Sequence, residues 1–78
     1  VYTKRFLEHY AKAPLTIQRA TDRRIALLVR NLRHPSLRAK KYDEAQNIWQ
    51  ARVDGGWRFY FTIEGNLYRL LSLLPHPK

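Results

Sequence analysis

The chain has 78 residues, no cysteine, and 15 lysines and arginines against six acidic residues, which gives a formal net charge of +9. This length holds one domain with a modest core; the lack of cysteine excludes a disulfide scaffold and a Cys-based zinc site, and no stretch approaches the roughly 20 apolar residues of a membrane span. So basic a surface predicts a polyanionic partner, with nucleic acid ranked first, an acidic protein second and an anionic membrane last.

The N-terminal half predicts a short strand and then two helices. Residues 1–3, Val-Tyr-Thr, suit a strand. Apolar side chains of the next segment share one helical face: Phe6, Leu7, Tyr10 and Ala11. Pro14 ends that segment, and a longer helix begins at Leu15 or Thr16, with a helical apolar spacing that continues to Leu32. Two helices so close in sequence predict a helical hairpin.

The C-terminal half predicts three strands. Residues 36–47 are polar and basic without clear periodicity, and we interpret them as a loop. Three apolar and aromatic segments follow, at 48–53, 57–63 and 67–74, separated by Asp-Gly-Gly and Glu-Gly-Asn turns. The predicted fold class is therefore α+β, in the order β-α-α-β-β-β. A mostly antiparallel four-stranded sheet would carry both helices on one face of a single domain, residues 1–78.

Two arginines flank the first of these turns. Because side chains alternate along a strand, one set should face the core: Trp49, Ala51, Val53, Trp57, Phe59 and Phe61. Arg52 and Arg58 then face outward, and pairing around the turn places them nearly opposite each other. Like charges directly opposed cost stability. Two interpretations stay open on these grounds: an anion-binding site, or two solvated arginines that splay apart.

Other polar residues are candidate site residues only because they are expected to lie near these arginines. His76 lies between two prolines just past the last strand and suits proton transfer near neutral pH, although an inert position on a tail is the plainer interpretation. Lys40 and Lys41 form a basic pair in the predicted loop. Gln50 and Tyr60 share the outward face with the arginines. We interpret the remaining histidines as structural: His9 and His34.

Two strings of the sequence resemble a known family. IWQARVDGGWRFYFTIEGNLYRLLSLLPHPK, residues 48–78, resembles the C-terminal half of the RelE/ParE superfamily of bacterial toxins from toxin–antitoxin systems. FLEHYAKAPLTIQRATDRRIALLVRNLRHPSLRAKKYD, residues 6–43, is similar in pattern to the family's two-helix segment and connecting loop. The most specific part is the pair of strands around the turn. The resemblance implies a RelE-like fold and a small cytoplasmic bacterial toxin that a cognate antitoxin neutralises.

The resemblance also implies catalytic roles. Arg58 takes the position of the arginine that stabilises charge on the scissile phosphate in the nuclease members. Arg52 takes that of a basic residue on the preceding strand, and His76 that of a histidine that transfers a proton. Two features depart from the pattern. Pro77 stands where an aromatic residue often follows the histidine, and the carboxylate that one subgroup uses as a base has only displaced candidates, Asp43 and Glu44.

Lys40 and Lys41 match a loop where other members place basic RNA contacts. We group them with the other candidate nucleic-acid contacts: Gln50, Tyr60 and Lys78. The implied reaction uses no metal and no cofactor, because no His, Asp and Glu cluster has metal-ligand spacing. A 2′-hydroxyl would attack the adjacent phosphorus and leave a 2′,3′-cyclic phosphate.

The function implied by the resemblance is cleavage of mRNA, often on the ribosome. Members of the same superfamily instead inhibit DNA gyrase without cutting RNA, and a degenerate relative that only binds nucleic acid is a third interpretation. The expected partners are therefore a cognate antitoxin and mRNA with the ribosome, or gyrase under the alternative; no membrane partner is expected.

Overall fold

The chain forms two helices followed by a four-stranded sheet, in a computed structural model that describes residues 1–76. The helices are α1 at Lys4–Lys12 and α2 at Leu15–Arg30, and a short 3-10 turn follows at Pro35–Leu37. The strands are β1 at Lys40–Asp43, β2 at Ile48–Arg52, β3 at Trp57–Glu64 and β4 at Leu67–Pro75. They pair antiparallel in the order β1-β2-β3-β4, which confirms the α+β fold class.

Local signals set the helix boundaries. The Thr3 hydroxyl accepts a hydrogen bond from the Phe6 backbone N–H at 3.2 Å, which caps α1. Pro14 separates the helices, and Asn31 ends α2 just before the predicted limit at Leu32. On the predicted apolar face of α1 only Phe6 is buried and Tyr10 partly so, whereas Leu7 and Ala11 are exposed.

The fourth strand lies elsewhere than the sequence predicts. Residues 1–3 make only an isolated parallel bridge, from Tyr2 to Leu70, because α1 begins immediately afterwards at Lys4. The segment still covers part of the outer edge of β4, since the Thr3 N–H donates to the Leu70 carbonyl at 3.1 Å. Covering an edge strand in this way protects it from pairing with another chain.

The missing strand comes from the segment that we interpreted as a loop. Lys40 pairs with Gln50 and Lys41 with Trp49, so β1 adds to the outer side of β2. The register shifts before Asp43 pairs with Ile48, which makes a bulge at Tyr42. Residues with little strand propensity thus become a short edge strand because β2 offers them an unpaired backbone ladder.

One hydrophobic core lies between the helices and one face of the sheet, which we call the inner face. Its buried side chains come from both layers: Phe6, Ile17, Leu28, Ala51, Val53, Phe59, Phe61, Leu70 and Leu73. The alternation predicted for β2 and β3 is confirmed, while Trp49 and Trp57 are only partly buried against this core. The opposite, outer face carries Arg58 and Tyr60. Within residues 1–76, neither helix combines the length and apolar content needed to cross a membrane.

Candidate anion-binding site

Arg52 and Arg58 are direct partners across β2 and β3. The turn between them is built by Asp54, whose Oδ1 accepts hydrogen bonds from the backbone N–H groups of Gly56 at 2.8 Å and Trp57 at 2.9 Å. This arrangement is the turn that aspartate side chains favour. The Asp54 carboxylate therefore shapes the backbone of the turn, and the arginine pair has no ion-pair partner in it.

The Arg58 guanidinium is anchored at one nitrogen. Its Nη1 donates to the backbone carbonyl oxygens of Asp54 at 2.9 Å and Trp57 at 3.0 Å. Within the described part of the chain, its Nε and Nη2 make no hydrogen bond to protein. Such a side chain is held in place while it still offers N–H donors, and guanidinium donors suit phosphate and carboxylate oxygens.

Arg52 and Arg58 line one cavity together with two further cations and a histidine. The cavity has a volume of about 350 Å³. We call its six lining residues the cationic cluster: Arg38, Lys40, Gln50, Arg52, Arg58 and His76. Five of the six were candidate site residues in the sequence. The structure therefore brings together the predicted catalytic residues and two of the predicted nucleic-acid contacts.

No carboxylate of residues 1–76 forms an ion pair with a residue of the cationic cluster, although Asp54 lines a neighbouring cavity together with Arg38 and Arg52. The two ion pairs found among residues 1–76 join Lys41 to Glu44 at 3.6 Å and Arg69 to Glu64 at 2.9 Å, and neither uses a cluster residue. Concentrating cations without counter-charges raises the local potential and costs stability. An anion bound in the cavity would remove that cost.

Arg38 belongs to the cluster but was missed by the sequence reasoning. It ends the 3-10 turn with φ 46° and ψ 42°, in the left-handed region that disfavours residues with a Cβ. Such a conformation costs on the order of 1 kcal/mol and is often found at functional sites. The only sequence signal was its membership of the basic segment before β1, which lacks a periodic pattern.

His76 reaches the cluster through its backbone. Its N–H donates to the Gly56 carbonyl oxygen at 2.7 Å, so the residue is tied to the turn between β2 and β3. Gln50 is only 8% exposed, because β1 and β3 flank it on the outer face. Both residues therefore occupy defined positions beside the arginine pair, and the role of the His76 imidazole stays a prediction.

Lys41 does not join the cluster. It alternates with Lys40 along β1, and its Nζ lies 5.3 Å from the centre of the Trp49 ring and near Glu44. Tyr60 lies on the outer face in a neighbouring cavity with Tyr42, a second aromatic residue that the sequence reasoning missed. Lys78 and Pro77 lie outside the described residues.

The other titratable candidates have structural roles. The Asp43 Oδ1 accepts from the Gln46 N–H at 3.1 Å, and Glu44 pairs with Lys41, so neither carboxylate lines the cluster. The Nδ1 atom of His9 accepts from the Leu73 N–H at 3.2 Å, and that of His34 accepts from Ser36. Among residues 1–76, no group of three or more histidine and carboxylate side chains is placed to share a metal ion.

Comparison with known proteins gives a match in structure alone. No protein-family model and no curated protein matches the sequence. A chain in the crystal structure of the RelB–RelE antitoxin–toxin complex from Methanococcus jannaschii is similar with a TM-score of 0.80 and 18% sequence identity. The match covers 96% of this chain and 88% of that chain. The protein described here therefore has a RelE-like α+β fold.

Proposed function

We propose that this protein is the toxin of a type II toxin–antitoxin pair and that it cleaves mRNA as an endoribonuclease. The observation that carries the proposal is the direct pairing of Arg52 with Arg58 inside a cluster that also holds Lys40 and His76. The RelE-like fold supports it, since the similar chain comes from an antitoxin–toxin complex. A phosphodiester fits the cluster because it is anionic and planar arginine forks bind it well.

The cluster offers cations for the phosphate of an RNA phosphodiester and one imidazole for proton transfer. In the proposed reaction a 2′-hydroxyl loses its proton to a base and attacks the adjacent phosphorus. The bond from phosphorus to the 5′ oxygen breaks, and that oxygen takes a proton, which leaves a 2′,3′-cyclic phosphate and a 5′-hydroxyl. His76 serves as the acid or the base, because histidine exchanges protons near neutral pH, and water takes or gives the other proton.

Arg58 stabilises the charge that develops on the phosphorane. Its anchoring to Asp54 and Trp57 fixes the guanidinium before substrate arrives, which is the property that makes a donor effective in a transition state. One such donor contributes about 3–4 kcal/mol. Arg52, Arg38 and Lys40 bind neighbouring phosphate oxygens, which gives affinity without sequence preference.

The same charge predicts how the toxin is silenced. An antitoxin with an acidic segment would neutralise part of the +9 surface and occupy the cationic cluster in place of RNA. We therefore propose that the cognate antitoxin competes directly with RNA. RNA that displaces a labelled acidic segment of the antitoxin would support this competition, and simultaneous binding of both would contradict it.

The test expresses the chain without an antitoxin and follows growth and mRNA. We expect growth arrest together with mRNA cleavage, mapped by primer extension in reactions with and without translating ribosomes. A terminal-phosphate assay should find 2′,3′-cyclic ends. Arrest with intact mRNA in both settings would contradict the nuclease proposal. If gyrase-catalysed DNA supercoiling stopped under the same conditions, inhibition of gyrase would replace it.

A further inference from the structure

A second cavity adjoins the cationic cluster on the outer face of the sheet. This cavity, which we call the tyrosine groove, has a volume of about 320 Å³. Its lining is aromatic, apolar and basic and includes Arg5, Tyr42, Ile48, Tyr60, Leu71 and Leu74. Its other lining residues are Ser72 and Pro75, so the groove contains no carboxylate. An arginine and two aromatic side chains among the lining residues distinguish the groove from an ordinary apolar depression.

The two tyrosines form an edge-to-face pair. Their ring centres are 4.9 Å apart and their planes are inclined by 66°. Tyr42 comes from the bulge in β1 and is 63% exposed, so most of its ring faces solvent. Inner-face aromatic rings such as Phe59 and Phe61 pack on each other inside the core. The outer pair instead leaves aromatic surface on which another ring can stack.

The groove and the cationic cluster are lined by neighbouring residues of the same strands. Tyr60 follows Arg58 by two residues on β3, which places them on the same face about 7 Å apart along the strand. Tyr60 also pairs with Gln50, which lines the cluster. A molecule with a phosphate between the arginines therefore has its next ring-sized group within reach of the tyrosines.

The chemistry of Tyr60 suits binding. Burial raises the pKa of its hydroxyl, the neighbouring Tyr42 raises it further, and Arg58 lowers it by a smaller effect. The hydroxyl is therefore protonated at neutral pH and can donate a hydrogen bond to a ring nitrogen or a carbonyl oxygen. This property complements the stacking surface of the pair.

We propose that the tyrosine groove binds one unpaired nucleobase of the single-stranded RNA whose phosphate lies in the cationic cluster. The inference rests on the proposed function and adds to it a subsite and a substrate class. A duplex is a poor ligand for the groove, because its bases are stacked on each other, whereas a single strand can place one base on an aromatic ring. Every base has such a face, so the subsite favours unpaired RNA with little preference among bases.

The test compares two oligomers with the same phosphates. One is a short single-stranded 2′-fluoro RNA, which lacks the attacking hydroxyl, and the other is an abasic oligomer of equal length. Fluorescence anisotropy at one fixed salt concentration gives both affinities. We expect the wild-type protein to prefer the oligomer with bases by about 5- to 150-fold, the effect of stacking one base.

Substitution at Tyr42 should remove this preference. Tyr42→Ala should bind both oligomers nearly equally and bind the abasic one as the wild type does, whereas Tyr42→Phe should keep the preference because its ring still stacks. Tyr2→Ala is the matched control, since Tyr2 is also about half exposed, at 52%, but contacts Phe6 beside the helices. It should behave as the wild type.

The outcomes separate the subsite from the function. A wild-type protein that binds both oligomers equally, or a Tyr42→Ala variant that keeps the preference, would overturn the subsite while the cationic cluster still binds phosphates. If Tyr42→Ala weakened antitoxin binding but kept the RNA preference, the groove would be an antitoxin contact, which also overturns the proposal. Failure of the wild type to bind either oligomer would instead count against the proposed function.

Discussion

Arg52 stands directly opposite Arg58 across β2 and β3, and Arg58 is held there by the carbonyl oxygens of Asp54 and Trp57. The register thus places two like-charged residues opposite each other although no carboxylate of residues 1–76 forms an ion pair with either. Opposed like charges destabilise a sheet. The arrangement is favourable when an anion lies between them, and this relationship supplies the first prediction.

Removal of Arg52 should stabilise the empty protein while weakening its binding of phosphate. We expect Arg52→Gln to raise the free energy of unfolding by about 0.2–1 kcal/mol at low salt, because the repulsion is relieved. Urea unfolding with and without inorganic phosphate measures both effects, and added phosphate should stabilise the wild type more than the variant. Arg19→Gln, in an exposed position on α2, is the control. Equal phosphate stabilisation of all three proteins would show that the pair does not bind anions.

Replacement of Arg58 should abolish most of the cleavage without unfolding the protein. We expect Arg58→Ala to lower the cleavage rate about 10²–10³-fold, the usual loss for one transition-state donor. Arg58→Lys should restore little of it, because lysine lacks the planar fork. The two lost hydrogen bonds should reduce stability by only about 1 kcal/mol, since the turn carbonyls become accessible to water. Single-turnover kinetics and thermal unfolding measure the two effects, and a variant that cleaves at the wild-type rate would exclude the assigned role.

Loss of the His76 side chain should slow cleavage, whereas loss of the His9 side chain should lower stability. His76→Ala should slow cleavage by roughly 10²–10⁴-fold with unchanged RNA affinity and stability, because its structural contact is made by the backbone N–H. His9→Ala should leave cleavage unchanged and cost about 1–3 kcal/mol of stability, since the Leu73 N–H loses its acceptor. Cleavage rates and urea midpoints for both variants provide the comparison. Normal cleavage by His76→Ala would leave the proton transfer to another group.

Arg38 should bind RNA at a cost in backbone strain. Arg38→Gly relieves the left-handed conformation and should stabilise the protein by up to about 1 kcal/mol. Contacts from the four cluster cations predict a slope of log affinity against log salt near −3 for a single strand, and the variant should reduce its magnitude by about 0.7. Anisotropy titrations across a salt series measure the slope. A slope that is the same in both proteins would show that Arg38 makes no phosphate contact.

The ion pair between Glu64 and Arg69 in the β3–β4 hairpin should make the stability of the protein depend on pH. A hydrogen bond from Arg69 to Glu64, followed by one from Thr62, lowers the pKa of Glu64 below its usual 4.5. A lowered folded-state pKa means that this stabilisation is present above pH 4.5 and is lost as the pH falls through the lower value. Glu64→Gln should therefore melt below the wild type at about pH 7, and the difference should shrink as the pH falls below 4.5. Glu8→Gln is the control, and a gap that persists in acid would contradict the assignment.

Much of the sheet was predictable from local pattern. The alternation of aromatic and polar residues in β3 determines which side chains share a face, because a strand has a period of two. The Asp-Gly-Gly turn then determines the register, which places Arg52 opposite Arg58. The helices were predictable for a similar reason, since Pro14 and the spacing of apolar residues are local signals.

The edge of the sheet was decided by tertiary structure. Residues 1–3 have better strand propensity than Lys40–Asp43, yet β1 forms from the latter because an antiparallel ladder on β2 was open to it. This choice separates two neighbouring lysines: Lys40 joins the cationic cluster and Lys41 turns to Trp49. It also places Tyr42 beside Tyr60.

The sequence by itself determined the two helices, the β2–β3–β4 meander and the arginine pair, because each depends on the periodicity or turn chemistry of a short segment. Only the tertiary structure decided which other residues lie beside Arg52 and Arg58. Arg38, itself left-handed at the end of the 3-10 turn, lines the same cavity as the pair, and His76 is placed there by a hydrogen bond from its backbone N–H to the Gly56 carbonyl oxygen. Both are contacts between segments distant in the chain, and no local pattern encodes which distant backbone groups will meet.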